Sequence, residues 1–170
     1  DLGLPEPKRA IRFLNMKPAH RELYETIISE TKLRQQNLAP RFRRFFRDKL
    51  KKIVMRLIQV SSNPSLLLTS DTFNHDFDSI LANTLAEGDS GKIEYVVNRA
   101  MELAAKGEKV IIWSTFVHNV ELIASRTKVL NSVFIHGGVD VGEDLDIEGD
   151  TRESKLRKFK EDPSCFVLVA

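Results

Sequence analysis

Cysteine is nearly absent from this chain: Cys165 is the single thiol. One thiol closes no internal disulfide, which argues against a stapled secreted scaffold and suits a reducing, intracellular compartment (cytoplasmic if the source is bacterial). Placed in an apolar run, Cys165 reads as a buried core residue. No apolar stretch reaches the length that crosses a bilayer, so no membrane is expected as a partner. No basic region followed by an apolar leader opens the chain. Aromatics are sparse at 8%, with one tryptophan and two tyrosines. There is no internal repeat, low-complexity tract, Gly-x-Ser-x-Gly elbow, Cys/His nucleophile pair or His-Glu-x-x-His helix. His20, His75, His118 and His136 are scattered. His75 stands near Asp76 and Asp78, but no second His or Cys cluster completes a metal site. These absences leave no self-contained catalytic centre, and neither a metal nor a catalytic residue is assigned.

Two look-alikes are set aside on spacing. Gly88-Asp89-Ser90-Gly91-Lys92-Ile93 imitates a nucleotide-binding loop but lacks the four-residue gap and the hydroxyl after the lysine. Asp144-Leu145-Asp146 imitates a calcium loop, with the required Gly and terminal Glu misplaced.

What is present is a patterned core. With 42% hydrophobic and 29% charged residues in 170, the chain can form one domain plus a smaller attachment. Val110-Ile111-Ile112-Trp113 has no polar alternation and reads as a strand buried on both faces. Before it, Ile93, Val96, Val97, Ala100, Leu103 and Ala104 fall at helical spacing, closed by Gly107 as a C-cap residue. After it, Val120, Ile123 and Ala124 mark a helix and Val133-Phe134-Ile135 a strand. Asp150 as N-cap with Glu153 three residues on, then Leu156 and Phe159, mark a third helix. Phe166-Val167-Leu168-Val169 is the last strand. Helix, strand, helix, strand, helix, strand is the order of right-handed crossovers in an α/β parallel sheet.

Upstream, residues 1–17 carry Pro5 and Pro7 and read as extended, with Ile11 and Phe13 as a candidate edge strand. Pro18 suits the first turn of a helix reaching about Leu33, its apolar stripe formed by Leu23, Tyr24, Ile27 and Ile28. Pro40 starts a second helix with Phe42, Phe46, Leu50, Ile53, Val54 and Leu57 on one face, ended by Asn63-Pro64. Residues 69–90 form a polar linker in which Phe73, Phe77, Ile80 and Leu81 mark one short docking helix. The expected organisation is a helical subdomain at 1–68, this linker, and an α/β lobe at 91–170.

Net charge is only +2, but its distribution is uneven. Ten Lys and Arg residues lie between Glu30 and Arg56, against Glu30 and Asp48. Such a face can hold a phosphate backbone by releasing counterions, or it is a solvated helix face. Seven acids between Asp140 and Glu153 face one base, Arg152. Acid repels a phosphodiester, so that segment reads as a solvated loop, one directed away from DNA, or an electrostatic gate.

In a parallel sheet the working loops lie at the strands' carboxyl ends, here Ser114-Thr115-Phe116 and His136-Gly137-Gly138. Hydroxyls beside a helix N-terminus donate to phosphate oxygens, and glycines let backbone N–H groups approach an anion. A plain N-cap and a plain turn satisfy the same residues.

Several stretches together resemble the second motor lobe of SWI2/SNF2-type helicase-like ATPases. They are Gly91-Lys92 opening a helix, the strand from Lys109 to Phe116, Ile135-His136-Gly137-Gly138, Arg152 heading a helix that carries Phe159, and the strand Phe166 to Val169. Met55-Arg56-Leu57-Ile58-Gln59 with Asn63-Pro64-Ser65-Leu66 resembles the family's Leu-Arg-x-x-x-Asn-His-Pro-x-Leu stretch, with Ser62 at a usual Cys or Asn position and no His. Leu4-Pro5 through Tyr24 resembles the segment leaving the first lobe. The likeness covers nearly the whole chain, although no one motif is unique. The first lobe's phosphate-binding loop and Asp-Glu pair, the Gly-rich helicase motif and the arginine-finger motif are not in this sequence.

The resemblance implies a partial RecA-like (P-loop NTPase-type) parallel sheet preceded by a small helical subdomain. It implies a fragment of an ATP-dependent translocase on double-stranded DNA, with the first motor lobe of the same parent chain as a partner. ATP and Mg²⁺ are then expected for the parent and no cofactor for this fragment, which should not hydrolyse ATP alone. Ser114, Thr115 and Phe116 would present hydroxyl and backbone donors to a phosphate. Gly137 and Gly138 would admit backbone to the same strand, and Arg152 would pair with an adjacent phosphate or orient the loop. A surface ion pair of Arg152 with Glu148 or Glu153, worth at most about 1 kcal/mol, is the plainer alternative. Arg43, Arg44 and Arg47 represent the basic helix. Two other readings stay open: a nucleic-acid-binding module without a motor, and a protein-interaction scaffold.

Overall fold

The computed structural model describes residues 6–36, 43–68, 78–141 and 150–170, and omits the side chains of 34–36 and 43–49. The expected helix start at Pro40, Phe42 and Phe46, the linker aromatics Phe73 and Phe77, His75, and the acidic run at 142–149 lie outside that description.

Among the described residues, four α-helices come before the first strand, α1 (Pro18–Gln36), α2 (Arg43–Ser62), α3 (Asp78–Ala86) and α4 (Gly91–Ala104), with a 3-10 turn at Pro64–Leu67. Leu23 and Ile27 of α1, Val60 of α2, Leu67 of the 3-10 turn and Leu81 of α3 share one core, which Tyr24, Ile53, Leu57 and Ile80 flank. Helix α3 is thus the expected docking helix, and it belongs to the helical cluster. Val54, expected on the buried stripe, is 52% exposed; Ile53 and Leu57 set the inward face, and Val54 lies beyond its edge. Ile11 and Phe13 form no strand. Residues 6–17 have no regular structure and Phe13 is 95% exposed.

Helix α1 begins under a polar cap supplied from far along the chain. Glu87 accepts from the backbone N–H groups of Ala19 (2.8 Å) and His20 (3.2 Å), placing negative charge where unpaired N–H groups concentrate positive potential. His20 is buried and its Nε2 lies 2.6 Å from the Val60 carbonyl oxygen. Nε2 therefore carries the hydrogen, and Nδ1, also buried, has no hydrogen-bond partner among the described residues. Desolvation holds the imidazole's pKa below its ordinary value of 6.5, against smaller raising effects from Val60 and Glu87. The unfolded chain therefore takes up a proton more readily than the folded one as pH falls through that value, and stability present above about pH 6.5 is lost below it. The unfolding temperature of the native chain should fall between about pH 6.5 and 5 more steeply than that of His20→Gln; parallel curves would refute the assignment.

The second half is α/β. Strands β1 (Val110–Ile112), β2 (Val133–Phe134) and β3 (Val167–Val169) alternate with α5 (Val117–Arg126) and α6 (Arg152–Glu161). All pairings are parallel in the order β1-β3-β2, with Ile111 opposite Leu168 and Phe134 opposite Val169. Ile112, Val167 and Val169 pack with Ile93 and Ala100 of α4 and Val120, Ile123 and Ala124 of α5. Val133, Cys165 and Leu168 pack on the other face with Leu156 and Phe159 of α6. Crossovers of one hand that travel in opposite directions across a sheet put their helices on opposite faces, which accounts for α5 and α6.

This topology corrects one expectation. The run Val110–Trp113 is not buried on both faces; β1 is an edge strand, with Ile111 51% and Trp113 79% exposed. Helix α6 packs on β2 and β3, so the β1 part of that face stays open. The doubly buried strand is β3, where Val167, Leu168 and Val169 are all buried. Cys165 is a buried free thiol, as expected, and desolvation raises its pKa.

The helix ends show local chemistry. Gly107, at φ +78°, closes α4 with Glu108 N–H donating to the Leu103 carbonyl and Gly107 N–H to that of Ala104, a Schellman arrangement. The cap of α6 is Thr151, not Asp150: Thr151 and Ser154 exchange side-chain to backbone bonds in a capping box. Asp150 instead pairs with Lys155 at 3.1 Å. Lys109, at the start of β1, donates to the carbonyl oxygens of Phe159 and Asp162 at the end of α6, where a cation complements the helix dipole.

Candidate nucleic-acid interface

Parallel pairing brings all three strands' carboxyl ends to one side of the sheet. The loops from β1 and β2 emerge on either side of β3. Ser114 N–H donates to the Ala170 carbonyl at 2.8 Å, and Ile135 N–H to that of Val169 at 2.9 Å. Ser114–Phe116 and His136–Gly138 therefore flank the end of the central strand. Helix α5 joins them, since Phe116 is its N-cap and Glu121, one turn further, lies 3.4 Å from His136.

Ser114 is already engaged, its hydroxyl accepting from Phe116 N–H at 3.2 Å. That bond fixes the strand-to-helix turn. Thr115 is exposed, and its hydroxyl makes no hydrogen bond among the described residues. Phe116 makes no side-chain cap bond, so the donors of the first turn are not satisfied by a cap. Within Ser114–Phe116 the Ser114 hydroxyl is thus committed to the turn, and Thr115 carries the exposed hydroxyl.

On the other strand, Gly137 and Gly138 are exposed. Val139 N–H donates to the His136 carbonyl at 3.0 Å, closing a four-residue turn, and Gly138 N–H donates to His136 Nδ1 at 3.0 Å. Arg152 stands behind this turn: its backbone N–H donates to the Asp140 carbonyl at 2.9 Å and its Nη2 to that of His136 at 3.4 Å. Its Nε is buried and has no hydrogen-bond partner among the described residues. Arg152 therefore orients the turn. Glu148 lies outside the described residues.

Arg43, Arg44 and Arg47 lie in the first turns of α2, with side chains outside the description. A shallow groove of about 440 Å³ beside Arg21, Glu22, Glu25 and Ser29 belongs to α1 and not to the strand ends. Sequence reasoning missed Glu121, whose one signal was a carboxylate one turn into the helix after the first loop. It also missed the buried contacts that seat α5: Asn63 Nδ2 donates to Asn119 Oδ1 at 2.9 Å, and Asn119 Nδ2 to Ser62 Oγ at 3.0 Å.

No group of three or more His, Cys, Asp or Glu residues that could hold a metal occurs among the described residues, and no described helix is long and apolar enough to cross a membrane. Comparison with protein-family models, curated proteins and solved structures finds no match.

Proposed function

We propose that the chain is part of the second, RecA-like motor lobe of a SWI2/SNF2-type ATP-dependent DNA translocase, working in a reducing compartment and gripping the phosphate backbone of double-stranded DNA. The observation that carries this reading is the convergence of Ser114–Phe116 and His136–Gly138 at the carboxyl ends of parallel strands. There Thr115, the uncapped start of α5, two exposed glycines and Arg152 lie around one sheet end. Such a set offers donors and a cation, which suits holding a polyanion. The basic α2 adds long-range attraction.

The loop Gly88–Lys92 does not form a nucleotide cradle. Ser90 donates its hydroxyl to the Ser62 carbonyl at 2.7 Å and accepts from Ile93 N–H at 3.3 Å, so Gly88–Lys92 is spent on capping α4. In this reading ATP and Mg²⁺ belong with the companion lobe.

The test is binding of a short fluorescent DNA duplex across a salt series. Neutralising Arg43, Arg44 and Arg47 to Gln should weaken binding about tenfold or more and flatten the slope of log affinity on log salt by up to about 2.7, or about 0.9 per lost phosphate contact. No duplex binding by the native chain would leave a protein-interaction scaffold. Binding without DNA-stimulated ATP hydrolysis in a parent protein that carries both lobes would leave a non-motor nucleic-acid-binding module.

A further inference from the structure

His136 makes contacts that a plain loop residue does not need. Its ring stacks on Phe134 at 5.6 Å between centroids, with 14° between planes, and its side chain is 14% exposed. A Cβ at position 138 would come within 3.1 Å of its Cε1 and 3.3 Å of its Nδ1, so a larger residue there would press on the ring. Because Gly138 N–H donates to Nδ1, that nitrogen is the acceptor and the imidazole is neutral. Its hydrogen sits on Nε2, toward Glu121.

A proton from solvent can add only at Nδ1. Nδ1 then becomes a donor facing another donor, and the bond from Gly138 N–H is lost. The consequence is a freed backbone N–H, plus a positive charge, on the turn that meets the phosphate. From α5, Glu121 favours that charge. From α6, Arg152 at the His136 carbonyl opposes it, as does Lys155, which lies 4.3 Å from the Phe134 ring centroid and is itself paired with Asp150. An arriving phosphate adds the negative charge that tips this balance toward protonation.

Resting on the reading that this turn contacts a nucleic-acid backbone, we propose that His136 is a proton-sensitive positioning residue. Neutral, it holds the Gly138 N–H against its own ring; protonated, it releases that donor to a phosphate. By linkage, phosphate binding then promotes proton uptake and affinity rises as pH falls.

Two measurements on the 170-residue chain test this. By NMR without DNA, in a series run from about pH 5 to 8, the Gly138 amide and the His136 ring carbons should shift together. A Gly138 amide that ignores the ring's protonation overturns the inference. In duplex binding over the same range, the native chain should gain about tenfold more affinity toward low pH than His136→Gln, the worth of one charge-assisted hydrogen bond. Equal pH responses with salt-dependent binding intact overturn the role of His136 and leave the DNA reading standing. No duplex binding at any pH overturns both.

Discussion

Asn63→Ala should lower the chain's unfolding free energy by about 2 to 4 kcal/mol, the sum of a lost cap and an orphaned buried acceptor. Asn63 is 4% exposed and serves two elements at once. Its Oδ1 accepts from Ser65 N–H at 3.1 Å, capping the turn after α2, while its Nδ2 donates to Asn119 of α5. Asn119 is 1% exposed, so its carbonyl oxygen, once abandoned, has no water to replace the donor. A double-mutant cycle of Asn63→Ala and Asn119→Ala should show the two losses to be far from additive, because each single change already breaks the shared bond. Urea unfolding followed by circular dichroism reads both quantities. A loss under about 0.5 kcal/mol, the size of an ordinary surface change, would mean that the helical cluster and the α/β unit are not locked through this pair.

The lock bears on function because α5 starts at the Thr115 loop and carries Glu121 beside His136. Around it, Ser65 Oγ lies 3.3 Å from His118 Nε2, and Arg126 makes two bonds to Asp89 at 2.6 and 3.0 Å. The buried asparagines specify register, since each amide has a single partner geometry. The exposed Arg126–Asp89 pair adds less, as charges in water are screened. Arg43, Arg44 and Arg47 take no part in these contacts, so folding stability measured beside DNA binding separates loss of the basic face from loss of this lock.

Apolar runs and helical spacing located the elements of the α/β half, because burial of β3 and of the inner faces of α4 and α5 leaves its imprint on consecutive residues. The carboxyl-end loops followed from the crossover order alone. What the pattern does not encode is which strand becomes central. Val110–Trp113 and Phe166–Val169 look alike in sequence, and only the order β1-β3-β2 makes the second doubly covered. Local ambiguity explains the misplaced cap of α6: Asp150 and Thr151 are both cap formers, and Ser154, three residues after Thr151, decides between them. The Asn63–Asn119 bond spans 56 positions, so Asn63 reads in sequence only as a helix terminator. The same distance hides Glu87 as the cap of α1, 68 positions from Ala19.

Two substitutions separate the strand order β1-β3-β2 from an arrangement in which Val110–Trp113 is buried on both faces. Leu168→Ala should cost about 2 to 5 kcal/mol, the usual range for emptying a leucine site in a core. Leu168 is 5% exposed and is packed against Val133 and Cys165, with Leu156 and Phe159 of α6 around them. Trp113→Ala should cost no more than about 0.5 kcal/mol although it removes the largest side chain in the protein, because a residue already in water loses little burial. As the single tryptophan, Trp113 also reports on itself: its native emission should resemble that of unfolded chain and be readily quenched by acrylamide. If Trp113→Ala proves as costly as Leu168→Ala, or its emission is blue-shifted and protected, β1 is covered on its second face. The sheet end that carries Thr115 would then be built differently, with β1 in the interior of the sheet and not beside its open edge.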